Sequence, residues 1–187
     1  MIDFPRHDES TAPEASKPLM AQSKANFGFV PGLHQVLAES PQAYRAYNTL
    51  HELFQQTSFD AEEQTVVWQT INVENRCHYC VPAHTGIAKA MKVDDAITDA
   101  LRDETPLPTP ELEALRSFVL KVVRQHGFVD EADTQAFFDA GYEPRHVLEI
   151  ILGLAQKVMS NYTNHFAHTA VDPVFQKFAW EKASEAA

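Results

Sequence analysis

The chain has 187 residues, of which 44% are hydrophobic and 22% are charged, a composition that is ordinary for a globular protein of one sizeable domain. Its 26 Asp and Glu residues outnumber 15 Lys and Arg residues, giving a formal net charge of −11, so we expect neither nucleic acid nor an anionic membrane surface as a partner. No apolar run approaches the roughly 18 residues that span a bilayer, and "MIDFPRHDES" lacks the apolar stretch of a secretory signal, which makes a cytoplasmic protein the expectation.

Residues 1–18 are polar and contain three prolines, which predicts an N-terminal arm in front of a single domain over residues 19–187. A short helix is expected over about 17–26, and the glycines and proline of "NFGFVPGL" then predict a turn. The arm cannot bury its own apolar residues, Ile2 and Phe4. We therefore expect it to pack on the core or on a neighbouring subunit.

Signals for helix starts follow along the rest of the chain. Ser40 before Pro41 is typical of an N-cap with a first-turn proline, and Asp60 with Glu63 forms a capping-box pattern that predicts a helix over about 61–74. Further helices are predicted to reach about residue 91, to run from Asp94 to about residue 103, and to begin at Thr109, Asp130 and Pro144. Few segments alternate with a period of two residues, so the fold class is predicted to be all-α, with about eight helices.

The last long predicted helix carries an apolar stripe. Its members recur at helical spacing, which is typical of a helix face that packs against a core. They are Val147, Ile151, Leu154 and Val158.

The stretch "ENRCHYCVPAHTG" holds both cysteines of the chain. If a helix starts near Cys77, then Cys77, Cys80 and His84 lie on one stripe of it. Pro82 has no N–H to donate, so the regular helix is expected to begin at about residue 79 or later. Cys80 then lies in the first turn, where free backbone N–H groups and the helix dipole favour a thiolate.

Two thiols at this spacing can close into a disulfide, and His84 can take a proton from Cys80 or give one to a leaving group. This chemistry suits peroxide reduction or dithiol exchange. Two other interpretations stay open: a structural pair of core cysteines, and a zinc site whose fourth ligand would come from His165 or His168. A thioredoxin-like domain is disfavoured because the chain is helical.

The segment "VENRCHYCVPAHTGIAKA", with "FGFVPGL" upstream and "SNYTNHFAHTAVD" downstream, resembles the carboxymuconolactone decarboxylase / alkylhydroperoxidase D-like superfamily, and most closely its peroxidase-related branch. The likeness spans roughly residues 20–175. It implies an alkylhydroperoxidase D-like helical bundle, homo-oligomers, and peroxidase activity on a small-molecule hydroperoxide without a metal or organic cofactor. It also implies a dithiol reductant, for which a lipoyl-bearing protein is a candidate.

The resemblance assigns roles within the dithiol. Cys80 would attack the peroxide, Cys77 would resolve the disulfide, and His84 would relay protons. Members with lactone decarboxylase activity generally lack the cysteine pair, which makes that reaction the weaker alternative.

One position departs from the family pattern. The proton-relay glutamate of the family lies twelve residues before the first cysteine, where this chain has Thr65. Glu63 and Glu74 are the candidate replacements. Glu63 points about 200° away from that position on a helix and also belongs to the capping box. Glu74 lies just before the turn into the site and could approach Cys77.

Overall fold

The computed structural model describes residues 4–182, and all regular structure in that range is helical. The α-helices are α1 (Lys17–Phe27), α2 (Gly32–Leu37), α3 (Pro41–Gln55), α4 (Ala61–Glu74), α5 (Cys80–Ala90), α6 (Asp95–Arg102), α7 (Pro110–Arg124), α8 (Glu131–Asp139) and α9 (Pro144–Ala167). Short 3-10 helices occupy Glu14–Ser16 and Pro173–Phe178. The prediction of an all-α fold is confirmed. None of these helices is long and apolar enough to cross a bilayer.

Helix α2 is the element that the sequence did not predict. The expected turn is present at Gly28, which ends α1 in the left-handed conformation with φ of 79°. A helix then starts at Gly32, whose N–H donates to the Asp172 carboxylate at 3.0 Å. A Cβ on Gly32 would lie 3.0 Å from the Thr169 side chain. Contacts with distant residues therefore stabilise this helix, and no local pattern could have indicated them.

Helix α4 is the central helix of the fold. It packs against α5, α6, α7 and α9, and residues 64–73 are all buried. The predicted capping box is present: Asp60 accepts the Glu63 N–H at 2.9 Å, and Glu63 accepts the Asp60 N–H at 3.0 Å. A helix that is buried on every face needs apolar or satisfied polar residues all round, which accounts for the strand-like composition of "VVWQTINV".

Helix α9 buries a polar face. The predicted apolar stripe is only partly buried: Val147 and Leu154 pack against the core, whereas Ile151 is 48% exposed. The buried positions of α9 are His146, Ile150, Gly153, Gln156, Lys157, Ser160, Asn161 and Asn164. Of these, Ile150 belongs to the hydrophobic core, while Lys157, Asn161 and Asn164 belong to the site described below.

The N-terminal arm lies against its own chain. The His7 N–H donates to the Gln35 carbonyl at 3.1 Å, and the Ser16 hydroxyl donates to the Ala38 carbonyl at 2.7 Å. The ring of Phe4 lies 6.4 Å from that of Phe166 on α9. Ile2, the other apolar residue of the arm, lies outside the described residues.

Candidate active site

The two cysteines lie at the start of α5, as the sequence predicted. Cys80 is the first residue of the helix, and Cys77 lies in the turn before it. The Cys77 carbonyl accepts the Val81 N–H at 3.1 Å, while the Cys77 Sγ accepts the Cys80 N–H at 3.3 Å. Both thiols are free and buried. The turn therefore places the Cys77 sulfur at the N-terminus of α5, where Cys80 is the first residue.

A lysine of α9 completes the site. Lys157 is fully buried, and its Nζ lies 2.7 Å from His84 Nε2. An ammonium group has only donors, so the His84 Nε2 accepts this hydrogen bond and the ring proton lies on Nδ1. Burial, aided by the charge of Lys157, holds the pKa of His84 well below its ordinary value. His84 is therefore neutral, and its hydrogen bond goes to Lys157.

The surroundings of Cys80 favour its thiolate. Burial alone would raise its pKa, but the hydrogen bond from Cys77, the charge of Lys157 and the side-chain amides of Asn161 and Asn164 outweigh it. The pKa of Cys80 is lowered from 9.0 to about 6. The Asn164 Nδ2 donates to the Cys80 Sγ at 3.3 Å. At neutral pH the thiolate is therefore favoured on Cys80.

Cys77 has the opposite tendency. Its hydrogen bond to Cys80, together with burial, raises the pKa of the Cys77 thiol. Burial also lowers the pKa of Lys157, and the negative charge that the cysteine pair carries opposes that shift. These shifts favour an ion pair between the Cys80 thiolate and the Lys157 ammonium.

A chain of side-chain amides fixes the cysteine turn to its neighbours. Asn75 donates to Asn161 at 2.9 Å, Asn161 donates to Asn72 at 2.9 Å, and Asn72 donates to Gln69 at 3.0 Å. The Gln69 amide then donates to the Val81 carbonyl at 3.1 Å. Buried amides are stable only when paired in this way, so the network joins α4, α9 and α5 rigidly around the dithiol.

A narrow cavity of about 50 Å³ leads to Cys80, and Cys77 does not line it. Its polar lining consists of His34, His84 and Lys157, without a carboxylate. Its apolar and aromatic lining includes Phe27, Leu33, Tyr47, Tyr79, Ile87 and Phe175. The cavity is thus suited to a small uncharged molecule that reaches the Cys80 sulfur first.

The candidate carboxylates are not brought to the dithiol. Glu63 is committed to the capping box at the other end of α4. Glu74 accepts two hydrogen bonds from the Arg124 guanidinium, each of 2.8 Å. Thr65, at the position of the family's glutamate, donates to the Ala61 carbonyl of its own helix at 2.8 Å. The titratable groups around Cys80 are instead Cys77 and Tyr79 of the turn, His84 of α5 and Lys157 of α9, with His34 and Tyr47 in the cavity wall.

The zinc alternative finds no ligand set in the described part of the chain. Between residues 4 and 182, no group of three or more His, Cys, Asp or Glu side chains could hold a metal ion. His168 is exposed at the end of α9, and His165 stacks on Tyr162. Neither histidine lines the cavity at Cys80.

Sequence reasoning missed Lys157, Asn161 and Asn164. One signal for them was present: polar residues recur three or four apart in "QKVMSNYTN", on a face about 80° around the helix from the apolar stripe. A polar stripe on a long helix usually faces water, so the spacing alone could not tell a buried site from a solvated surface.

No protein-family model and no curated protein matches the chain. Solved structures do match. An uncharacterized peroxidase-related protein from Ralstonia eutropha JMP134, described as an alkylhydroperoxidase AhpD core, is 22% identical over 92% of this chain and 93% of that chain, with a TM-score of 0.82. An uncharacterized peroxidase-related protein from Silicibacter sp. TM1040 is 17% identical over 93% and 92%, with a TM-score of 0.78.

The debrominase Bmp8 has a similar structure. Its apo form is 17% identical over 93% of this chain and 94% of that chain, with a TM-score of 0.75. A cysteine-to-alanine variant of Bmp8 in complex with 2,3,4-tribromopyrrole has a TM-score of 0.72 at 16% identity, over 95% of both chains. The chain therefore has the fold of the alkylhydroperoxidase D core, and the resemblance found in the sequence is confirmed in its fold.

Proposed function

We propose that this chain, which has the alkylhydroperoxidase D fold, is a thiol-dependent peroxidase that works through a Cys77–Cys80 dithiol/disulfide cycle. The observation that carries the proposal is the environment of Cys80. Its pKa is lowered to about 6, its sulfur lines the cavity, and its partner thiol lies one turn away. A structural cysteine pair would need none of these features.

In the first step the Cys80 thiolate attacks the outer oxygen of a hydroperoxide. The O–O bond breaks, an S–O bond forms, and Cys80 becomes a sulfenic acid while two electrons pass to the peroxide. The departing alkoxide takes a proton from the Lys157 ammonium and leaves as an alcohol. Lys157 and His84 thereby provide the proton that the family's glutamate relay would provide.

In the second step the Cys77 thiol attacks the Cys80 sulfur. A disulfide forms, and the hydroxyl group leaves with the Cys77 proton as water. A dithiol donor then reduces the disulfide to two thiols, and Cys80 passes its proton to the neutral Lys157 amine. This restores the ion pair. The cycle consumes one hydroperoxide and one dithiol, and it requires no metal or organic cofactor.

The cavity supports a small, uncharged hydroperoxide as the substrate. Its walls are mainly aromatic and aliphatic, and the charge of Lys157 is already balanced by the thiolate of Cys80. A carboxylate on the substrate would have to be desolvated without a free partner, which is unfavourable. A lipoyl-bearing protein fits the reductant, since a lipoyl group is a narrow dithiol on a long arm.

Reductive dehalogenation is a second candidate, favoured by the aromatic rings that line the cavity and by the structural likeness to a debrominase. The Cys80 thiolate would take the halogen from a small aromatic ring, and the ring carbon would take the proton from Lys157. Cys77 would then displace halide to form the same disulfide.

The test is to expose the fully reduced protein to one equivalent of hydrogen peroxide, the smallest hydroperoxide, and, separately, of a bromopyrrole. We expect the peroxide to give one intramolecular disulfide, seen by mass spectrometry as the loss of two hydrogens from the peptide that contains Cys77 and Cys80. A dihydrolipoyl donor should restore both thiols. Two free thiols that persist under excess peroxide would overturn the peroxidase proposal, and bromide release in that case would favour the second candidate.

A further inference from the structure

The segment 172–180, called the strap below, crosses α5 in front of the cavity. It contains the 3-10 helix Pro173–Phe178, which packs against α5. No residue of that 3-10 helix is fully buried. The strap is therefore a surface element that lies on α5.

Both ends of the strap are anchored. At its start, Asp172 accepts hydrogen bonds from the Tyr79 hydroxyl at 2.6 Å and from the Gly32 N–H at 3.0 Å. At its end, the Arg102 guanidinium donates to the carbonyls of Phe178 at 2.9 Å and Ala179 at 3.2 Å. Between these anchors the strap is held mainly by its aromatic side chains.

Phe175 is the residue of the strap that reaches the site. Its ring lines the same cavity as Cys80. It also lies against Gly86 so closely that a Cβ there would be 2.7 Å from two ring carbons. The absence of a side chain at Gly86 thus lets the ring lie flat on α5 at the cavity wall.

The cavity is too narrow for a large reactant while the strap is in place. Cys80 is 2% exposed, and the space in front of it is about 50 Å³. A segment with few buried contacts opens at a small fraction of the global unfolding free energy. Lifting the strap would remove the Phe175 wall of the cavity without disturbing the buried core.

We propose that Phe175 is a specificity-determining residue: its ring admits small reactants to Cys80 and excludes bulky ones until the strap lifts. The inference rests on the proposed function in taking Cys80 as the reacting thiol. It goes further by assigning size selection to one side chain and by predicting that a bulky hydroperoxide or a protein-bound dithiol reacts only with the open strap.

The experiment measures alkylation of Cys80 in the reduced full-length protein, located by mass spectrometry, with iodoacetamide as the small reagent and fluorescein maleimide as the bulky one. In Phe175→Ala, the ratio of the bulky to the small rate constant should rise at least about tenfold over wild type, which corresponds to about 1.4 kcal/mol. Val174→Ala is the matched control, since Val174 is an exposed neighbour in the strap that does not line the cavity. It should leave the ratio unchanged.

A second pair of variants changes Gly86, the residue of α5 against which the Phe175 ring lies. Gly86→Ala should change the ratio of the bulky to the small rate constant, because its methyl group displaces the Phe175 ring. In a Phe175→Ala protein the same Gly86→Ala change should have no further effect on that ratio, since there is no ring left to displace. An unchanged ratio in Phe175→Ala, or an equal acceleration of both reagents, would overturn the inference. Alkylation requires no peroxide, so a failure of the peroxidase proposal would be seen separately in the oxidation experiment.

Discussion

Lys157 is the residue on which the chemistry of the site depends. A buried ammonium without a partner would lose its proton, and a buried thiolate would gain one. Each therefore stabilises the charged form of the other. His84 accepts a hydrogen bond from Lys157 at 2.7 Å and so fixes where the ammonium lies. The arrangement keeps a nucleophile and a proton donor ready in a site that water scarcely reaches.

Replacing Lys157 should shift the pH dependence of Cys80. In the wild type, the alkylation rate should fall as the pH drops through about 6, since the thiolate is protonated there. In Lys157→Met, burial is opposed only by the hydrogen bonds from Cys77, Asn161 and Asn164, so the midpoint should move to higher pH. The measurement is the rate of iodoacetamide reaction at Cys80 against pH.

Lys89→Met is the matched control, because Lys89 lies on α5 but pairs with Asp95 on the surface. Its profile should coincide with that of the wild type. The free energy of unfolding of Lys157→Met should fall by about 1–3 kcal/mol, since His84 Nε2 is left buried without its donor even when Cys80 takes up a proton. A midpoint that stays near 6 in Lys157→Met would contradict the role given to Lys157.

At the scale of the elements, local rules predicted most helix starts. Ser40, Asp94, Thr109 and Asp130 each accept an N–H of the first turn of the helix that they precede, as their side chains suggested. Capping depends on residues within one turn of each other, so a sequence pattern is enough to find it. Helix α2 was not predicted because its stabilising contacts come from Thr169 and Asp172, over a hundred residues away.

The residues of the candidate site likewise fall into a local group that the sequence predicted and a distant group that it did not. Cys77, Cys80 and His84 lie within eight consecutive residues, and their placement at the start of α5 followed from helical geometry. Lys157 is 73 residues from His84 and Asn164 is 84 residues from Cys80. Only the packing of α9 against the rest of the bundle brings Lys157 and Asn164 to the dithiol. The polar residues of that helix face predicted that it would be exposed to solvent, whereas it is buried.

At the scale of the whole molecule, α9 leaves an apolar stripe uncovered. Leu148, Ile151, Tyr162 and Phe166 are exposed, with Leu148 at 68% and Phe166 at 71%. At the spacing of an α-helix they lie within about 60° of one another around its axis, opposite the buried polar face. A single apolar residue on a surface is ordinary, but a stripe along a 24-residue helix is typical of an interface. We propose that this stripe joins copies of the chain.

The corresponding prediction concerns mass in solution. Light scattering on the wild type at micromolar concentration should give a multiple of the 21.0 kDa chain. The double variant Ile151→Glu/Tyr162→Glu should shift the mass toward the monomer, because desolvating two carboxylates in an apolar interface is unfavourable. Phe128→Glu is the control, since Phe128 is 87% exposed and lies outside the stripe. A wild-type mass of one chain would contradict the proposed assembly.

The central claim is that Cys80 attacks and Cys77 resolves, and single-turnover reactions of the two serine variants test it most directly. Each reduced variant is mixed rapidly with one equivalent of hydrogen peroxide in the presence of a sulfenic-acid trap. We expect Cys77→Ser to consume about one equivalent and to stop at a trapped sulfenic acid on Cys80, since no thiol is left to displace it. Cys80→Ser should consume none, because Cys77 has a raised pKa and does not line the cavity. An inert Cys77→Ser beside a reactive Cys80→Ser would contradict the account.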